Sequence, residues 1–431
     1  MTDPENVGRL GAKSSPDPQE LSRRGFVGAA AGAIGLTTLG VGGADALEHS
    51  HRTHEVGSPQ APAGHDSFDP WIEIDRTAFQ HNVREAARLA GGRPILAVVK
   101  NNAYGLGDAT VGPLLAACPE VAGLACVRVA EAIAIRQAGV KKPILNMAEV
   151  SEAETAELVR HRVTSSLWLD DAPARMERIA KRLGRPVPVE LYVDVGMGRE
   201  GMPDYRAGPW LDTLCRQRSV RVEGTYMMFA HQLEFGPEQL ARFRTLVTAA
   251  RARGLELGRL HAAPTYELFL YHDSHLDLVR PGNALFGNYP SADGVKDMAQ
   301  LKTVFRLRAR IARLEQLRAG DSASFRREYI ATKPTWVAML PVGHTDGYPF
   351  TAAKTCKVLI GGRLYPVVSV ISSAHTIVEI GDEKAVEIGD VATLIGPDHP
   401  EIDPQAIAEK TGVRYLLLIT KLNARMPRYV V

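Results

Sequence analysis

Cysteine is scarce: there are four in 431 residues. Cys118, Cys126, Cys215 and Cys356 include no pair at the close spacing of a zinc or iron–sulfur site. That excludes a metal-knuckle module and a small disulfide-dense scaffold. An excess of one charge is also lacking. The 51 Lys and Arg against 49 Asp and Glu leave a net +2, which gives no push toward nucleic acid or membranes. No internal run is long and apolar enough to span a bilayer. No carboxylate–histidine cluster has metal-ligand spacing. What is present is globular composition, 45% hydrophobic and 23% charged, over a length that holds two domains.

The N-terminus does not read as part of the fold. Leu21-Ser22-Arg23-Arg24-Gly25-Phe26-Val27 precedes a mildly apolar Ala/Gly run to about Val41, then Ala44-Asp45-Ala46. Adjacent arginines, a weak apolar region and a small-x-small cleavage site read as a twin-arginine signal over 1–46. The expectation is passage through the twin-arginine export machinery, cleavage after Ala46, and a periplasmic or extracellular location. Residues 47–68 are rich in His, Ser, Pro and Gly and read as a flexible linker. His49, His51, His54 and His65 belong to that polar stretch. Export permits disulfides, but no connectivity is legible; Cys126, in an apolar run, reads as a core residue.

Strands and helices then alternate. Trp71 to Ile74 is a strand, Asp75 a helix cap, and Phe79, Val83, Ala86 and Leu89 recur at helical spacing. Strands are expected at Ile95–Val99, Ala122–Val127, Pro143–Met147, Val163–Leu169 and Val187–Val195. Helices are expected between them. About eight such units before residue 290 fit a (β/α)₈ TIM barrel over 69–300. Beyond about residue 300 the texture changes to short strands with Gly-rich turns. They include Val304–Leu314, Thr335–Leu340, Lys357–Ile360, Tyr365–Ile371, Thr376–Ile380 and Val391–Ile395. Residues 301–431 are therefore a mainly β domain.

Lys100 closes the buried strand Ile95–Val99 and precedes Asn101-Asn102-Ala103-Tyr104-Gly105-Leu106-Gly107. Barrel enzymes carry catalytic groups at such strand ends. An amine in a dry site has a lowered pKa and can condense with an aldehyde; a lysine that caps a strand at the surface is the alternative. Gly196-Met197-Gly198-Arg199-Glu200-Gly201 spells G-x-G-x-x-G, but it follows several βα units and Pro203 comes directly after. It therefore does not read as a dinucleotide site.

The stretch around Lys100 resembles the pyridoxal-phosphate lysine motif of the alanine racemase family, a Schiff-base lysine with a tyrosine four residues on. The barrel-then-β order matches that family over almost the whole mature chain, and the family's first strand, here Trp71–Ile74, belongs to its β domain. The resemblance implies pyridoxal 5'-phosphate held by Lys100, with Tyr104 on the phosphate. His261-Ala262-Ala263-Pro264-Thr265 and Leu278-Val279-Arg280-Pro281-Gly282-Asn283 resemble the phosphate segments, with Thr265 and Gly282 as contacts. Arg280 corresponds to the arginine facing the pyridine nitrogen. Arginine keeps its protons, so the ring nitrogen accepts, the ring is a weaker electron sink, and reprotonation at Cα is favoured over transamination. Val193-Asp194-Val195-Gly196-Met197-Gly198-Arg199 resembles the strand end whose arginine, Arg199, helps bind the substrate carboxylate. The family is a homodimer in which each subunit's β domain completes the other's site.

Departures cluster on the substrate side. The tyrosine base of the partner subunit is expected in a Gly-Tyr-x-Asp-Gly-Tyr-Pro-like segment. Here Val342–Pro349 carries His344 at that position, while Tyr348 matches the second aromatic. Met228 stands where the family has a histidine stacked on the cofactor. Ser373-Ala374-His375 replaces a Met-Asp-Gln-like segment, which makes His375 a candidate substrate contact. Ser324-Phe325-Arg326 replaces Ser-Tyr-Gly, and Arg326 and Arg327 could bind a further anion. The resemblance thus implies a pyridoxal-phosphate racemase acting on an amino acid, with Lys100 as one base and His344 as the candidate opposed base. Alternatives are a lyase on the same scaffold (retro-aldol or decarboxylation) and a binding protein without turnover.

Overall fold

The computed structural model describes residues 66–431. The expected export signal at 1–46 and the linker up to residue 65, with His49, His51, His54 and His65, lie outside the described residues.

The first strand, β1 (Trp71–Ile74), leads into α1 (Arg76–Leu89). The helix starts there because the Asp75 carboxylate accepts the Ala78 amide at 2.9 Å. Its buried stripe includes Phe79, Val83, Ala86 and Leu89, as the spacing predicts. The chain then alternates through β2 (Ile95–Val98), α2 (Lys100–Tyr104), α3 (Asp108–Ala116), β3 (Val121–Cys126), α4 (Val129–Gln137), β4 (Ile144–Asn146), α5 (Glu152–Arg160), β5 (Thr164–Leu167) and α6 (Ala172–Leu183). It continues through β6 (Val187–Asp194), β7 (Met202–Pro203), α7 (Asp204–Arg216), β8 (Val220–Tyr226), α8 (Gly236–Ala252), β9 (Arg259–His261), α9 (Thr265–Leu270) and α10 (Val295–Met298).

The order β2-β3-β4-β5-β6-β8-β9 is parallel, with the short β7 paired to the flank of β6. Residues 278–281 close the barrel through isolated bridges rather than a full ladder. Leu96 N donates to Val279 O at 2.8 Å, Val98 N to Pro281 O at 3.0 Å, and Arg280 N to Ala263 O at 2.7 Å. Along the staves, side chains alternate. Leu96, Val98, Ala125, Leu145, Tyr192, Tyr226 and Leu278 pack together inside, while Ile95, Ala97, Leu124 and Ile144 join the core shared with the helices.

The second half is mainly β. Its strands are β10 (Phe305–Arg310), β11 (Arg313–Leu317), β12 (Ser322–Ala323), β13 (Tyr329–Ile330), β14 (Thr335–Leu340), β15 (Lys357–Ile360), β16 (Arg363–Pro366), β17 (Thr376–Gly381) and β18 (Val391–Ile395). Two helices, α11 (Pro404–Thr411) and α12 (Tyr415–Thr420), precede β19 (Arg428–Val430). One sheet runs β16-β15-β18-β10-β1-β19, and β11-β14-β17 form another. The first strand therefore sits in the C-terminal sheet, antiparallel to β10 and parallel to β19.

Two strand expectations are corrected. Val304–Leu314 is not one strand: Ile311 N turns to Asp390 O and Ala312 N to Met339 O, so β10 and β11 join different sheets. Tyr365–Ile371 stops early, because Pro366 has no N–H to extend a ladder. All four cysteines carry free thiols.

Asn82 joins the barrel to the chain entering the β domain. Its side-chain amide donates to Leu285 O at 3.2 Å and Lys302 O at 2.8 Å, and its carbonyl accepts Lys302 N at 2.8 Å. The side chain is fully buried. Asn82→Ala is therefore expected to cost about 1–3 kcal/mol, because the buried Leu285 carbonyl and two part-buried groups of Lys302 lose their partner. In urea unfolding the midpoint should fall with the slope unchanged; an unmoved midpoint would show that the pin is not needed.

Candidate active site

Lys100 is placed by unusual backbone. Asn101, Asn102, Ala103 and Tyr104 have φ of 58°, 55°, 48° and 53°, so α2 is a turn of left-handed helix. Each non-glycine residue held this way costs roughly 1–2 kcal/mol. Asparagine tolerates the region; alanine and tyrosine do not favour it. Tertiary contacts hold the turn. The buried Glu131 carboxylate on α4 accepts Asn102 N at 3.1 Å, and its other oxygen accepts Val127 N at 3.2 Å and Arg128 N at 3.1 Å. Asn102 Oδ1 accepts Asp108 N at 3.1 Å. Gly105 then closes the turn at φ 95°, where an added Cβ would lie 2.1 Å from Ile419 O on α12. Arg428 of β19 donates to Gly105 O at 2.8 Å. Barrel and β domain together therefore fix the turn that carries Lys100.

The Lys100 amine is held below the usual lysine range. Burial is the main cause, and the Arg199 guanidinium is the second; Glu200 and Glu131 oppose them, and Arg280 adds to the lowering. Arg199 stands on the Gly-rich loop after β6. Asp194 folds that loop by accepting the amides of Gly196 (3.0 Å), Met197 (2.8 Å) and Gly198 (3.1 Å). No helix opens there, so the G-x-G-x-x-G match is a carboxylate-filled loop. Its product is an arginine with a side chain 54% exposed, its guanidinium 3.7 Å from the Glu200 carboxylate.

Arg280 lies at the opposite extreme of exposure, 1%. One terminal nitrogen donates to Met227 O at 2.6 Å and Ala262 O at 3.1 Å and touches Met228 Sδ at 3.1 Å. The guanidinium lies 4.7 Å over the Tyr226 ring. Nε and Nη1 have no partner among the described residues. A buried cation with two idle guanidinium nitrogens is aimed at an acceptor that the described residues do not supply. Below it the rings are layered: Tyr192 stacks on Tyr226 at 4.5 Å and Tyr226 on His261 at 5.0 Å. His261 Nε2 meets Glu190 Oε2 at 2.7 Å.

Thr265, Gly282 and Tyr104 form a cradle. The Thr265 hydroxyl accepts the amides of Gly282 and Ala284, both at 3.2 Å. A Cβ on Gly282 would stand 2.2 Å from the Tyr104 hydroxyl, so this position has to be glycine. The Tyr104 ring is braced on Phe286 at 4.6 Å. Backbone amides beside two hydroxyls suit an oxyanion such as phosphate.

The barrel thus gathers Lys100, Tyr104, Arg199, Met228, Thr265, Arg280 and Gly282 at the C-terminal ends of its strands. His344 and His375 stand elsewhere, exposed on the β domain. The charges that bear most on Lys100 are Arg199, Glu200, Glu131 and Arg280, and neither histidine is among them. Yet the β domain draws all three divergent segments onto one rim. His344 N donates to Ser372 O and Thr345 N to Ser373 O, both at 3.1 Å. His375 Nδ1 lies 3.4 Å from Ser372 Oγ. Ser324 Oγ donates to Val370 O at 3.2 Å. Phe325, 66% exposed, and Phe350, against the His344 ring, give this rim an apolar edge.

Sequence reasoning missed Glu131, Asp194 and Tyr192. Glu131 read as an ordinary helix residue; the only hint was two asparagines directly after Lys100. Glu131→Ala is expected to leave three amides unpaired and to cost about 3 kcal/mol. Hydrogen exchange at Asn102, Val127 and Arg128 should speed up by at least tenfold relative to other α4 contacts. Unchanged exchange at these three amides would mean that Glu131 does not hold the turn.

Comparison with known proteins agrees with this geometry. The family model "Alanine racemase, N-terminal domain" matches residues 74–290, and "Alanine racemase, C-terminal domain" matches 304–430. The alanine racemase of Carboxydothermus hydrogenoformans is 30% identical over 366 residues, covering 84% of this chain and 99% of that protein. That of Syntrophobacter fumaroxidans is 33% identical over 349 residues, 79% of this chain and 92% of the relative. The solved alanine racemase of Clostridium difficile 630 superposes with a TM-score of 0.78 at 26% identity, covering 84% of this chain and 96% of that one. The family is one of pyridoxal-phosphate-dependent isomerases. With both domains matched in order and barrel and β domain assembled in the same way, this chain belongs to the alanine racemase family.

Proposed function

We propose that this chain is a pyridoxal-phosphate-dependent amino-acid racemase whose site combines the barrel of one copy with the β-domain rim of another. The observation that carries the reading is Arg280, a buried guanidinium with two unpartnered nitrogens whose charge also acts on a lysine of lowered pKa. The residues fit the cofactor. Lys100 supplies the amine, Arg280 the donors for a ring nitrogen, and the Tyr104 and Thr265 hydroxyls, with Gly282 leaving room between them, the phosphate cradle. When bound, pyridoxal phosphate supplies the electron sink that acidifies the substrate Cα–H. Arg280 cannot release a proton, which keeps its partner nitrogen an acceptor and that sink weak. Lys100 Nζ, its pKa lowered by burial and by the Arg199 charge, takes the proton from one face of Cα. Arg199 holds the substrate carboxylate with paired N–H donors.

Return of a proton on the other face needs a second acid–base group. Within one chain the candidates, His344 and His375, are exposed on the β domain and are not among the charges that bear most on Lys100. Their rim carries exposed Phe325 and Phe350, which supports a homodimer in which a second copy brings His344 to the site. An imidazole can both give and take a proton and suits the task. The arginine pair and cleavage pattern in 1–46 support export by the twin-arginine pathway, to the periplasm or outside the cell.

Two outcomes test the reading. Proton NMR in D₂O with pyridoxal phosphate and a panel of L- and D-amino acids, with chiral chromatography, should report loss of the Cα proton and the opposite enantiomer. His344→Ala should slow interconversion about 10²–10⁴-fold while the cofactor stays bound. Exchange with retained chirality, or the appearance of glycine or an amine, would replace the racemase by a one-base enzyme or a lyase; no exchange with cofactor bound would favour a binding protein. The second outcome concerns pH. Cofactor loading requires neutral Lys100, so its rate should rise with pH around a midpoint below the ordinary lysine value of 10.5. Arg199→Gln removes one of the like charges that lower this pKa, so the midpoint should move upward, but only in part, because burial remains the main cause. A downward shift would contradict the electrostatic assignment.

A further inference from the structure

Tyr192 and Tyr226 are neighbours with similar packing and different hydrogen bonding. Their rings stack at 4.5 Å with planes 18° apart. Tyr192 is also met edge-on by Trp168 at 5.5 Å, so its ring is fixed from two sides. The Tyr226 hydroxyl is satisfied by Ser166 Oγ at 2.8 Å. The Tyr192 hydroxyl, on a residue 2% exposed, is closed to bulk water and has no partner among the described residues. A buried hydroxyl left this way costs stability unless something else completes it.

Its surroundings say what would complete it. Tyr192 is on β6, two residues before Asp194, at the C-terminal end of the barrel. The guanidiniums that bear on it, Arg280 and Arg199, are the same two that bear on Lys100. The carboxylates acting on it are Glu200, which faces Arg199, and Asp194, already committed to the amides of its loop. The phenol belongs to the cluster inside the barrel, with Leu96, Val98, Tyr226 and Leu278 and with Met228 packed against it, and the two guanidiniums that act on it favour an anionic oxygen as its acceptor. Burial pushes the phenol up to about 12, so it keeps its proton and is a donor at neutral pH.

We propose that Tyr192 is a further ligand-facing residue of this site, whose hydroxyl donates a hydrogen bond to an anionic oxygen of the bound ligand held between Arg199 and Arg280. That oxygen is either the phenolic oxygen of the cofactor or the carboxylate oxygen of the amino acid. The proposal rests on the pyridoxal-phosphate reading above. Nothing in the sequence marks the residue, because a tyrosine within the apolar strand Val187–Asp194 looks like core.

The test compares wild-type and Tyr192→Phe holoenzyme, a change that keeps the ring stack and should leave the melting temperature near that of wild type. If the acceptor is the cofactor oxygen, the pH midpoint of the visible absorbance band shifts in the substrate-free holoenzyme and cofactor Kd rises about tenfold. If it is the substrate carboxylate, the substrate-free spectrum is unchanged. KM for the interconverted amino acid then rises about tenfold with a smaller change in kcat, and inhibition by acetate weakens. Either pattern supports the proposal. A variant identical to wild type in spectrum, cofactor Kd, KM and acetate inhibition overturns it while leaving the cofactor reading intact. Failure of the wild-type chain itself to take up pyridoxal phosphate would overturn the cofactor reading, and this inference with it.

Discussion

A guanidinium buried inside a barrel is the constraint on which the site turns. Arg280 sits on residues 278–281, the segment that closes the barrel, and its own backbone amide is one of the closing bonds. The cation is tolerated because Met227 O and Ala262 O accept from it and the Tyr226 face lies beneath it. Two of its nitrogens, Nε and Nη1, have no partner among the described residues. Barrel closure and ligand recognition therefore share one residue. The same charge also reaches Lys100 and Tyr192, so it sets the field of the whole pocket.

Lys100 depends on a second constraint, four consecutive left-handed residues. Such a turn does not persist by local preference. Three of its supports come from distant sequence: Glu131 from α4, Ile419 O from α12 and Arg428 from β19. Lys100 is thus tied to the β domain of its own chain, while His344 and His375 stand on an exposed rim of that same domain. A site divided in this way accounts for the sequence pattern. The residues expected on the cofactor side come from barrel staves, and the segments read as departing from the family, 324–326, 342–349 and 373–375, lie on the β domain.

Much of this was legible in the sequence. Buried parallel strands read as apolar runs, and caps such as Asp75 marked helix starts, so the barrel and the mainly β domain could both be read. Lys100 stood out because it closes a buried strand, and Thr265, Arg280 and Gly282 were singled out by the resemblance of their segments to the family's. What escaped reading depends on tertiary contact. The segment 278–281 makes only isolated bridges and has no strand pattern. The left-handed turn is imposed on Ala103 and Tyr104 against their preference. Glu131 and Tyr192 look like an ordinary helix acid and an ordinary core ring until the partners of their polar atoms are known. The break between β10 and β11 is set by which sheet each half can join, which no local window contains.

The central claim is that Lys100, held on its left-handed turn beside Arg280, is the residue that binds pyridoxal phosphate. Borohydride reduction of the purified chain with pyridoxal phosphate, followed by peptide mapping, tests it most directly. The account predicts one phosphopyridoxyl group per chain, on the peptide containing Lys100. Label on another lysine, or none at all, would contradict it.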